Sequence, residues 1–433
     1  MAALVAYHKN GVSAEIALDR QIAQMGTDMR EVALAAKLTF GVIQNRALLD
    51  FYLGAFCHTP LGELAPRVLD ILRTAAYQMV FLDRIPVRAA VDEAVELTKV
   101  KDSRAAGLVN AVLRRFSERL SDLPEVPEDD PIAYLATRYS HPCWLVRRFV
   151  DELGFEGTAG LLAANNREVP LYAQVNTLKA DVVQVLESLA AEGVCAERHP
   201  WLSDCVTITG AGSPTRLAAF REGFLYIQDP AARLALLALA VQPGMRVLDP
   251  CAAPGGKSFA AAIQMGNTGE IVSRDIGAKK IAHIQAGALR LGLEILQVEH
   301  GDARALDPAV HGMFDAVIVD APCSGLGIIR KKPEIRNKMP QEIVRLPEIQ
   351  LEILHAAARC VVRGGVLLYA TCTVLSEENR GVVQAFLEET ADFALEQFTL
   401  PGEIGLVEEG QITLYPHIHD TDGFFFCKLR RVK

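Results

Sequence analysis

The chain has 433 residues, of which 50% are hydrophobic and 22% charged, so it is long enough for two or three domains that each bury a core. This composition excludes a chain that is mainly disordered. Lys and Arg total 44 against 53 Asp and Glu, a net charge of −9, so any nucleic acid must bind through a local basic surface.

Cysteine spacing and the lengths of the apolar runs exclude further classes of protein. The nine cysteines include no C-x-x-C pair and no zinc-type Cys/His spacing, so we expect no metal, and their odd number argues against a disulfide framework. Residues 1–9 lack the basic start and apolar run of a signal peptide. The apolar run 234–241 is far shorter than the ~20 residues that span a bilayer. We therefore expect a cytoplasmic protein without membrane contact.

Residues 1 to about 120 are predicted to be all-helical, because apolar residues recur at three-and-four spacing between turns. The predicted helices are 13–24, 29–45, 48–52, 65–81, 89–99 and 103–120. Several basic residues lie near the end of this region, and they form either a solvated helix face or a phosphate-binding face. They are Lys99, Lys101, Arg104, Arg114, Arg115 and Arg119.

A linker and a small mixed subdomain are predicted next. Residues 123–131 are acidic and rich in proline, which is typical of a linker, and a connecting helix follows from about 139–145. Strand-like segments at 171–179, 206–209 and 224–230, with a helix at 181–192, predict a small α+β subdomain over about 169–228.

The segment 246–263 predicts a strand, a tight glycine turn and a helix. The turn has the sequence DPCAAPGGKS at 249–258, which fits neither the phosphate loop nor the G-x-G-x-x-G dinucleotide fingerprint. A turn of this kind lies at the carboxyl end of a strand in an open α/β sheet, where glycines and backbone N–H groups allow a ligand to approach closely. We therefore predict a cofactor site there.

Four further predicted strands end, like the first, at an acid or a cysteine. The polar groups at the five ends are Asp249, Asp275, Asp302, Asp320 with Cys323, and Cys372. The carboxyl ends of parallel strands meet at one edge of a sheet, so we expect these groups to converge on one site. The Asp-Gly dipeptide at 422–423, followed by aromatic residues, predicts a closing hairpin.

Three motifs in this order resemble the S-adenosylmethionine-dependent RNA cytosine-5 methyltransferases: AAPGGK at 252–257, DAPCSG at 320–325 and ATCT at 370–373. Segments 69–86, 90–95 and 107–114 are similar to the NusB-like RNA-binding bundle.

Nearly the whole chain thus resembles the ribosomal RNA small subunit methyltransferase B type. The resemblance implies an α/β fold with a Rossmann-like methyltransferase core, an all-α NusB-like N-terminal domain and a small α+β connecting subdomain. We expect the domains at 1–122 (NusB-like), 123–168 (linker and connecting helix), 169–228 (α+β subdomain) and 229–433 (catalytic domain).

The resemblance also implies the chemistry. S-adenosyl-L-methionine would methylate carbon 5 of a cytosine in small-subunit (16S) ribosomal RNA through a covalent cysteine–cytosine adduct. Cys372 would be the nucleophile and Cys323 the residue that releases the product. Asp320 would hydrogen-bond nitrogen 3 of cytosine, and Lys257 would support Asp320. The implied cofactor-binding residues are Cys251, Ala252, Ala253, Pro254, Gly255, Gly256, Lys257, Asp275, Asp302 and Asp320.

The densest basic cluster in the chain, at 329–338, follows the loop that carries Asp320 and Cys323, where RNA phosphates need counter-charge. The predicted RNA-binding residues are Arg330, Lys331, Lys332 and Arg336. We expect a monomer that binds small-subunit ribosomal RNA.

Two alternative functions remain open. A transfer RNA cytosine-5 methyltransferase would share the same catalytic half, and only the NusB-like bundle, by analogy, favours ribosomal RNA. A non-catalytic RNA-binding regulatory protein would carry a vestigial methyltransferase fold, but the intact Cys323, Cys372, Asp320 and Lys257 argue against it.

Overall fold

A computed structural model describes residues 1–10, 13–25, 29–210 and 212–433. The chain divides into two compact units. The first unit contains Met1–Arg167 and Lys332–Lys338, and the second contains Glu168–Lys331 and Met339–Lys433.

The first unit is helical over its described residues. Its helices are α1 (Ala2–Asn10), α2 (Ala14–Met25), α3 (Met29–Gln44), α4 (Arg46–Phe56), α5 (Pro66–Phe81), α6 (Val87–Asp102), α7 (Ala106–Glu118), α8 (Pro131–Arg138) and α9 (Cys143–Asn165). A 3-10 helix at Pro333–Asn337 belongs to the same unit. The all-helical prediction is confirmed, although helix α1 was not predicted.

The core of this unit is built from the apolar faces of α4 to α7. Leu53, Leu72, Leu113 and Phe116 are fully buried there, and the rings of Phe56 and Phe116 meet edge to face with centroids 5.5 Å apart. Such an arrangement follows from the three-and-four apolar spacing, which gives each helix one apolar face to bury.

The second unit begins with a small four-stranded antiparallel sheet in the order β2-β3-β1-β4. Its elements are β1 (Leu171–Val175), α10 (Val182–Ala191), β2 (Cys195–Arg198), β3 (Cys205–Thr209), α11 (Ala218–Arg221) and β4 (Leu225–Ile227). Helix α10 begins at a capping box, in which Asp181 accepts a hydrogen bond from the Gln184 backbone N–H and the Gln184 side chain accepts one from the Asp181 N–H.

A large sheet dominates the rest of the second unit, in the order β10-β14-β9-β8-β5-β6-β7, with β13 paired to β14. Its strands are β5 (Arg246–Asp249), β6 (Glu270–Asp275), β7 (Leu296–His300), β8 (Phe314–Asp320), β9 (Val361–Thr371), β10 (Phe393–Leu395), β13 (Gln411–Leu414) and β14 (Phe424–Arg431); β11 (Phe398–Leu400) and β12 (Gly405–Val407) pair separately. The helices are α12 (Pro230–Leu239), α13 (Gly256–Gln264), α14 (Ala278–Leu291), α15 (Pro340–Ile343), α16 (Leu346–Ala358), α17 (Arg380–Glu389) and α18 (Pro416–His419).

Strands β9, β8, β5, β6 and β7 are mutually parallel, and β14 runs antiparallel to β9. Side chains of β8 alternate between two cores: Ala316 and Ile318 pack with α12 to α14, and Val317 and Val319 pack with α16 and α17. Both faces are therefore covered, as expected for a parallel sheet whose strands are continuous apolar runs. The prediction of an α/β core is confirmed.

Two side chains tie the small subdomain to the end of helix α14. The Asn176 side-chain amide donates to the backbone carbonyls of Gly223 and Leu291 at 3.0 and 2.8 Å, and Lys179 Nζ donates to the Arg290 carbonyl at 2.9 Å. At the other end of the unit, β13 and β14 form the predicted closing hairpin, with Leu414 opposite Phe424 and α18 in the connection.

Among the described residues, no single helix is both long and apolar enough to cross a membrane. The bent pair Arg30–Gln44 and Arg46–Phe56 meets those criteria of length and composition only when its two helices are taken together.

Candidate active site

The glycine turn after β5 is fixed by a chain of side-chain hydrogen bonds. Asp249 ends the strand fully buried, and its Oδ2 accepts from Ser258 Oγ at 2.7 Å, which in turn accepts from Ser273 Oγ at 2.8 Å. Burial raises the pKa of Asp249 to about 7. The turn is thereby held to strand β6 through its acid and two serines.

Gly255 is required in this turn for two reasons. Its φ is +110°, in the region that side-chain-bearing residues rarely adopt, and a Cβ atom there would lie 2.4 Å from the Phe259 ring. A Cβ on the neighbouring Gly256 would lie 3.0 Å from Gln228 Nε2. The two glycines thus let the backbone enter helix α13 where no side chain fits.

A cavity of about 470 Å³ lies where the parallel strands end. Its wall includes Pro250, Cys251, Ala253, Asp275, Ile276, Lys280, Asp302, Ala303, Arg304, Asp320, Ala321, Pro322, Cys323, Ile349, Ile353 and Cys372. Seven of the predicted site residues therefore meet at one cavity: Cys251, Ala253, Asp275, Asp302, Asp320, Cys323 and Cys372. The other predicted cofactor-binding residues, Ala252, Pro254, Gly255, Gly256 and Lys257, belong to the glycine turn and the first turn of α13.

Two carboxylates are fixed on the cavity wall. Asp275 accepts backbone N–H bonds from Ala253 at 3.3 Å and from Gly277 at 2.9 Å. Asp302 is held by the Arg304 guanidinium, whose Nε and Nη2 lie 3.1 and 2.7 Å from its two oxygens, and these hydrogen bonds lower the pKa of Asp302. Both groups are oriented before any ligand binds.

Asp320 and Lys257 form an ion pair at the cavity. Lys257 Nζ lies 2.6 Å from Asp320 Oδ2 and 4.9 Å from the centroid of the Phe424 ring. The lysine is 7% exposed, whereas the Asp320 side chain, at 28%, remains open to the cavity. The buried ammonium thus fixes a carboxylate that a ligand can reach.

The two predicted catalytic thiols are neighbours. Sγ of Cys323 lies 3.3 Å from Sγ of Cys372, and both are free cysteines. The hydrogen bond with Cys372, followed by burial and nearby negative charge, raises the pKa of Cys323 well above the ordinary thiol value. Both cysteines line the same cavity, so two sulfur atoms are accessible to one ligand.

The comparisons with known proteins agree with this geometry. Residues 236–430 match the family described as 16S rRNA methyltransferase RsmB/F, residues 1–118 match the NusB family, and residues 141–214 match the ferredoxin-like domain of RsmF/B-like methyltransferases. The chain is 37% identical over 438 residues to the probable ribosomal RNA small subunit methyltransferase B of Bacillus subtilis strain 168, and the match covers 99% of this chain and 97% of that relative. The chain belongs to the 16S rRNA methyltransferase RsmB/F family.

Solved structures carry the same fold as this RsmB/F chain. The crystal structure of PH0851 has a TM-score of 0.81 and 26% identity, covering 99% of this chain and 96% of that one. A methyltransferase homolog protein from Pyrococcus horikoshii has a TM-score of 0.59 and 28% identity, covering 69% and 97% respectively. The predicted family and the predicted combination of a Rossmann-like core with a NusB-like domain are confirmed.

The basic cluster at 329–338 is largely engaged within the protein. The Arg330 side chain is 3% exposed and its Nε lies 2.8 Å from Asp422 Oδ1, while Lys331 Nζ lies 2.5 Å from Asp229 Oδ2 and 2.7 Å from Asp422 Oδ2. Two cations and two acids therefore neutralise each other in a mostly buried cluster. Neither acid was predicted as a partner, because Asp229 and Asp422 lie 102 and 91 positions from Lys331 along the chain.

Arg336 is also buried, at 1% exposure, inside the helical unit. Its guanidinium donates to the carbonyls of Gln44 and Ser140 and to Asn166 Oδ1 at 2.8 to 3.0 Å. A buried guanidinium that is already hydrogen-bonded cannot reach an RNA phosphate, so we withdraw Arg330 and Arg336 from the predicted RNA-binding residues. Lys331 and Lys332, with side chains 32% and 53% exposed, stay as proposals.

A buried carboxylate for which no role was predicted lies against the loop that carries Cys323. Glu378 follows the Cys372 loop and is 1% exposed, and its Oε2 accepts from the Ser324 backbone N–H at 2.8 Å and from Gln350 Nε2 at 2.9 Å. Its position in the sequence, six residues after Cys372, is the signal that could have identified it. Among the described residues, no group of three or more His, Cys, Asp or Glu side chains is arranged to hold a metal ion.

Proposed function

We propose that this chain methylates carbon 5 of a cytosine in 16S ribosomal RNA through a covalent bond between Cys372 and carbon 6 of the base. Membership of the RsmB/F family makes it an RNA methyltransferase. The observation that carries the finer proposal is the 3.3 Å pair of thiols in the same cavity as the Asp320 and Lys257 ion pair. Two thiols with a fixed carboxyl group suit cytosine addition chemistry and have no use in methylation of an exocyclic amine.

The residues at the cavity fit S-adenosyl-L-methionine. The side-chain-free turn at Gly255 and Gly256 allows close approach of a ligand to the backbone, and the Asp275 carboxylate suits the two hydroxyls of a ribose. Asp302 would lie near the adenine, and Cys251 to Lys257 would enclose the methionine moiety. When bound, this cofactor supplies an electrophilic methyl group.

The chain's own residues perform the addition step. The Cys372 thiolate forms a bond to carbon 6, and the electron pair of the C5=C6 double bond moves so that carbon 5 becomes nucleophilic. Nitrogen 3 becomes basic in the adduct and takes a proton from water, which it gives back on release. The Asp320 carboxylate, held in place by Lys257, accepts a hydrogen bond from this N–H. Carbon 5 would then take the methyl group of bound S-adenosyl-L-methionine, whose methyl–sulfur bond would break to leave S-adenosylhomocysteine.

Release of the methylated base breaks the bond between carbon 6 and sulfur that the addition step formed. The proton on carbon 5 leaves to water, the C5=C6 double bond re-forms, and the C6–S bond breaks with its electron pair returning to Cys372. Cys323 lies 3.3 Å from the departing sulfur and is placed to assist its release. Because the target base must enter the cavity, it must be unstacked, which favours a loop or an RNA within an assembly over a closed duplex.

The test is to trap the adduct. We would express Cys323→Ala in cells, isolate protein bound covalently to RNA under denaturing conditions, and sequence the RNA. We expect an adduct with small-subunit ribosomal RNA that disappears in Cys323→Ala/Cys372→Ala. The matched control is Cys143→Ala, an exposed cysteine of the helical unit, which should give no adduct.

Each other outcome changes a named part of the proposal. Transfer RNA in the adduct would replace the substrate and keep the mechanism. An adduct with Cys372→Ala alone would exchange the roles of the two cysteines. Methylation that persists in Cys372→Ala would refute the covalent mechanism.

A further inference from the structure

Glu378 ties together the two loops that carry the thiols. Its Oε2 accepts the Ser324 N–H, one residue after Cys323, while its own backbone carbonyl accepts from the Tyr369 hydroxyl at 2.6 Å. The Ser324 hydroxyl donates to Thr373 Oγ1 at 2.8 Å, next to Cys372. The carboxylate is therefore part of the frame that sets the distance between the sulfur atoms.

The Glu378 carboxyl group is buried and has donors on one oxygen only. Both groups that donate to Oε2 are N–H groups, the Ser324 backbone and the Gln350 amide. Its other oxygen, Oε1, is buried and has no hydrogen-bond partner among the described residues. A buried charge with one free oxygen acts strongly on neighbouring titratable groups, because little water screens it.

The titratable groups on which the Glu378 carboxylate acts are Cys323 and Tyr369. The charge of Glu378 contributes to raising the pKa of both Cys323 and Tyr369. Both effects have the same sign, since a fixed negative charge disfavours a thiolate or a phenolate beside it.

We propose that Glu378 is a positioning residue whose negative charge holds the proton on Cys323, so that Cys372 alone supplies the thiolate. This inference rests on the proposed cytosine chemistry, in which one thiol adds to carbon 6 and the other assists release. The S–H of Cys323 then donates to Cys372 Sγ across the observed 3.3 Å.

The same arrangement serves the release step. When the C6–S bond breaks, its electron pair goes to Cys372 Sγ, and the Cys323 S–H stabilises that thiolate by hydrogen bonding without giving up its proton. No net proton transfer between the two cysteines is needed. Loss of the Glu378 charge would remove one of the causes that keep the proton on Cys323, so that less Cys372 thiolate would be available for the addition step.

The test is alkylation of the protein alone, without RNA or cofactor. Iodoacetamide labelling of each cysteine is measured against pH by peptide mass spectrometry. In the unaltered protein we expect Cys372 to be labelled at lower pH than Cys323. In Glu378→Gln, which keeps the shape and an acceptor for Ser324, the labelling midpoint of Cys323 should fall by about half a pH unit, because the hydrogen bond with Cys372 and burial remain.

Gln350→Leu is the matched control, because it removes the other hydrogen bond to Oε2 without changing a charge. Its Cys323 midpoint should move by less than half the shift in Glu378→Gln. An unchanged midpoint in Glu378→Gln would overturn the proposal. If Glu378→Gln does not fold, the unaltered protein still tests the proposal. Labelling of Cys323 at a lower pH than Cys372 in that protein would overturn the proposal as well.

Labelling and adduct trapping separate this inference from the proposed function. The labelling order reports which thiol holds the proton in the free protein, whereas the trapped adduct reports the reaction with RNA. A shifted midpoint with no adduct would refute the cytosine chemistry alone. An adduct with no shift would refute the role of Glu378 alone.

Discussion

Replacing Arg336 with alanine removes a buried guanidinium from the frame of the helical unit. The side chain donates to the carbonyls of Gln44, Ser140 and Pro333 and to Asn166 Oδ1, all between 2.8 and 3.1 Å. It also reaches the Tyr139 carbonyl at 3.3 Å, which keeps other partners in His141 and Asn166. Four acceptors therefore lose a donor in the variant.

The expected loss follows from three of these four acceptors, because the Pro333 carbonyl still accepts the backbone N–H of residue 336 in the 3-10 helix. Each buried acceptor left unsatisfied costs about 1 kcal/mol at the lower end of the usual range, or about 3 kcal/mol for three. Removal of a charge that was costly to bury offsets part of this loss. We therefore expect Arg336→Ala to lower the free energy of unfolding of the helical unit by about 2 kcal/mol.

The assay is urea unfolding followed by circular dichroism, with limited proteolysis of the segment 332–338 to locate the loosened region. Lys332→Ala is the control, because this exposed neighbour should change stability by less than about 0.5 kcal/mol. A stable Arg336→Ala protein with weakened RNA binding would refute the reasoning and return Arg336 to the RNA surface.

Three further predictions concern the cavity. Burial raises the pKa of Asp249 to about 7, so the stability that its neutral form contributes is complete below the unfolded pKa of about 4 and is lost as the pH rises through 7. Between about pH 4 and pH 8, the stability of Asp249→Asn relative to the unaltered protein should therefore increase by about 4 kcal/mol. A difference in urea unfolding that does not change with pH would contradict this. Asp275→Asn should weaken binding of sinefungin, a cofactor analogue, by about tenfold or more in calorimetry, and an unchanged Kd would remove Asp275 from the site. Lys257→Met should lower kcat by about a hundredfold while sinefungin still binds, and loss of binding instead would make Lys257 a cofactor residue.

The cavity-lining edge of the sheet was predictable from the sequence because each of its strands has a local signal. Each strand is a short apolar run, and each polar group follows directly at its end, as with Asp275 and Asp320. Parallel pairing then brings the ends together without further information. The glycine turn was also predictable, since the positive φ of the backbone at Gly255 favours glycine.

The buried hydrogen bonds of the basic side chains could not be predicted, because their partners lie far away along the chain. The basic cluster at 329–338 has the composition of an RNA-binding segment, but Arg330 pairs with Asp422, 92 residues away, and Arg336 bonds to Gln44, 292 residues away. No local pattern distinguishes a buried cation from a solvated one. Helix α1 was missed for a different reason, because its apolar residues do not concentrate on one face.

The most direct test of the central claim is the release of hydrogen from carbon 5. Small-subunit ribosomal RNA containing cytidine tritiated at carbon 5 would be incubated with the enzyme and S-adenosyl-L-methionine, and the tritium released to water would be counted against methyl groups transferred. We predict that one tritium is released for each methyl group, with both signals lost in Cys372→Ala. Methyl transfer without tritium release would mean that another atom of the RNA is methylated, and would contradict the proposed chemistry.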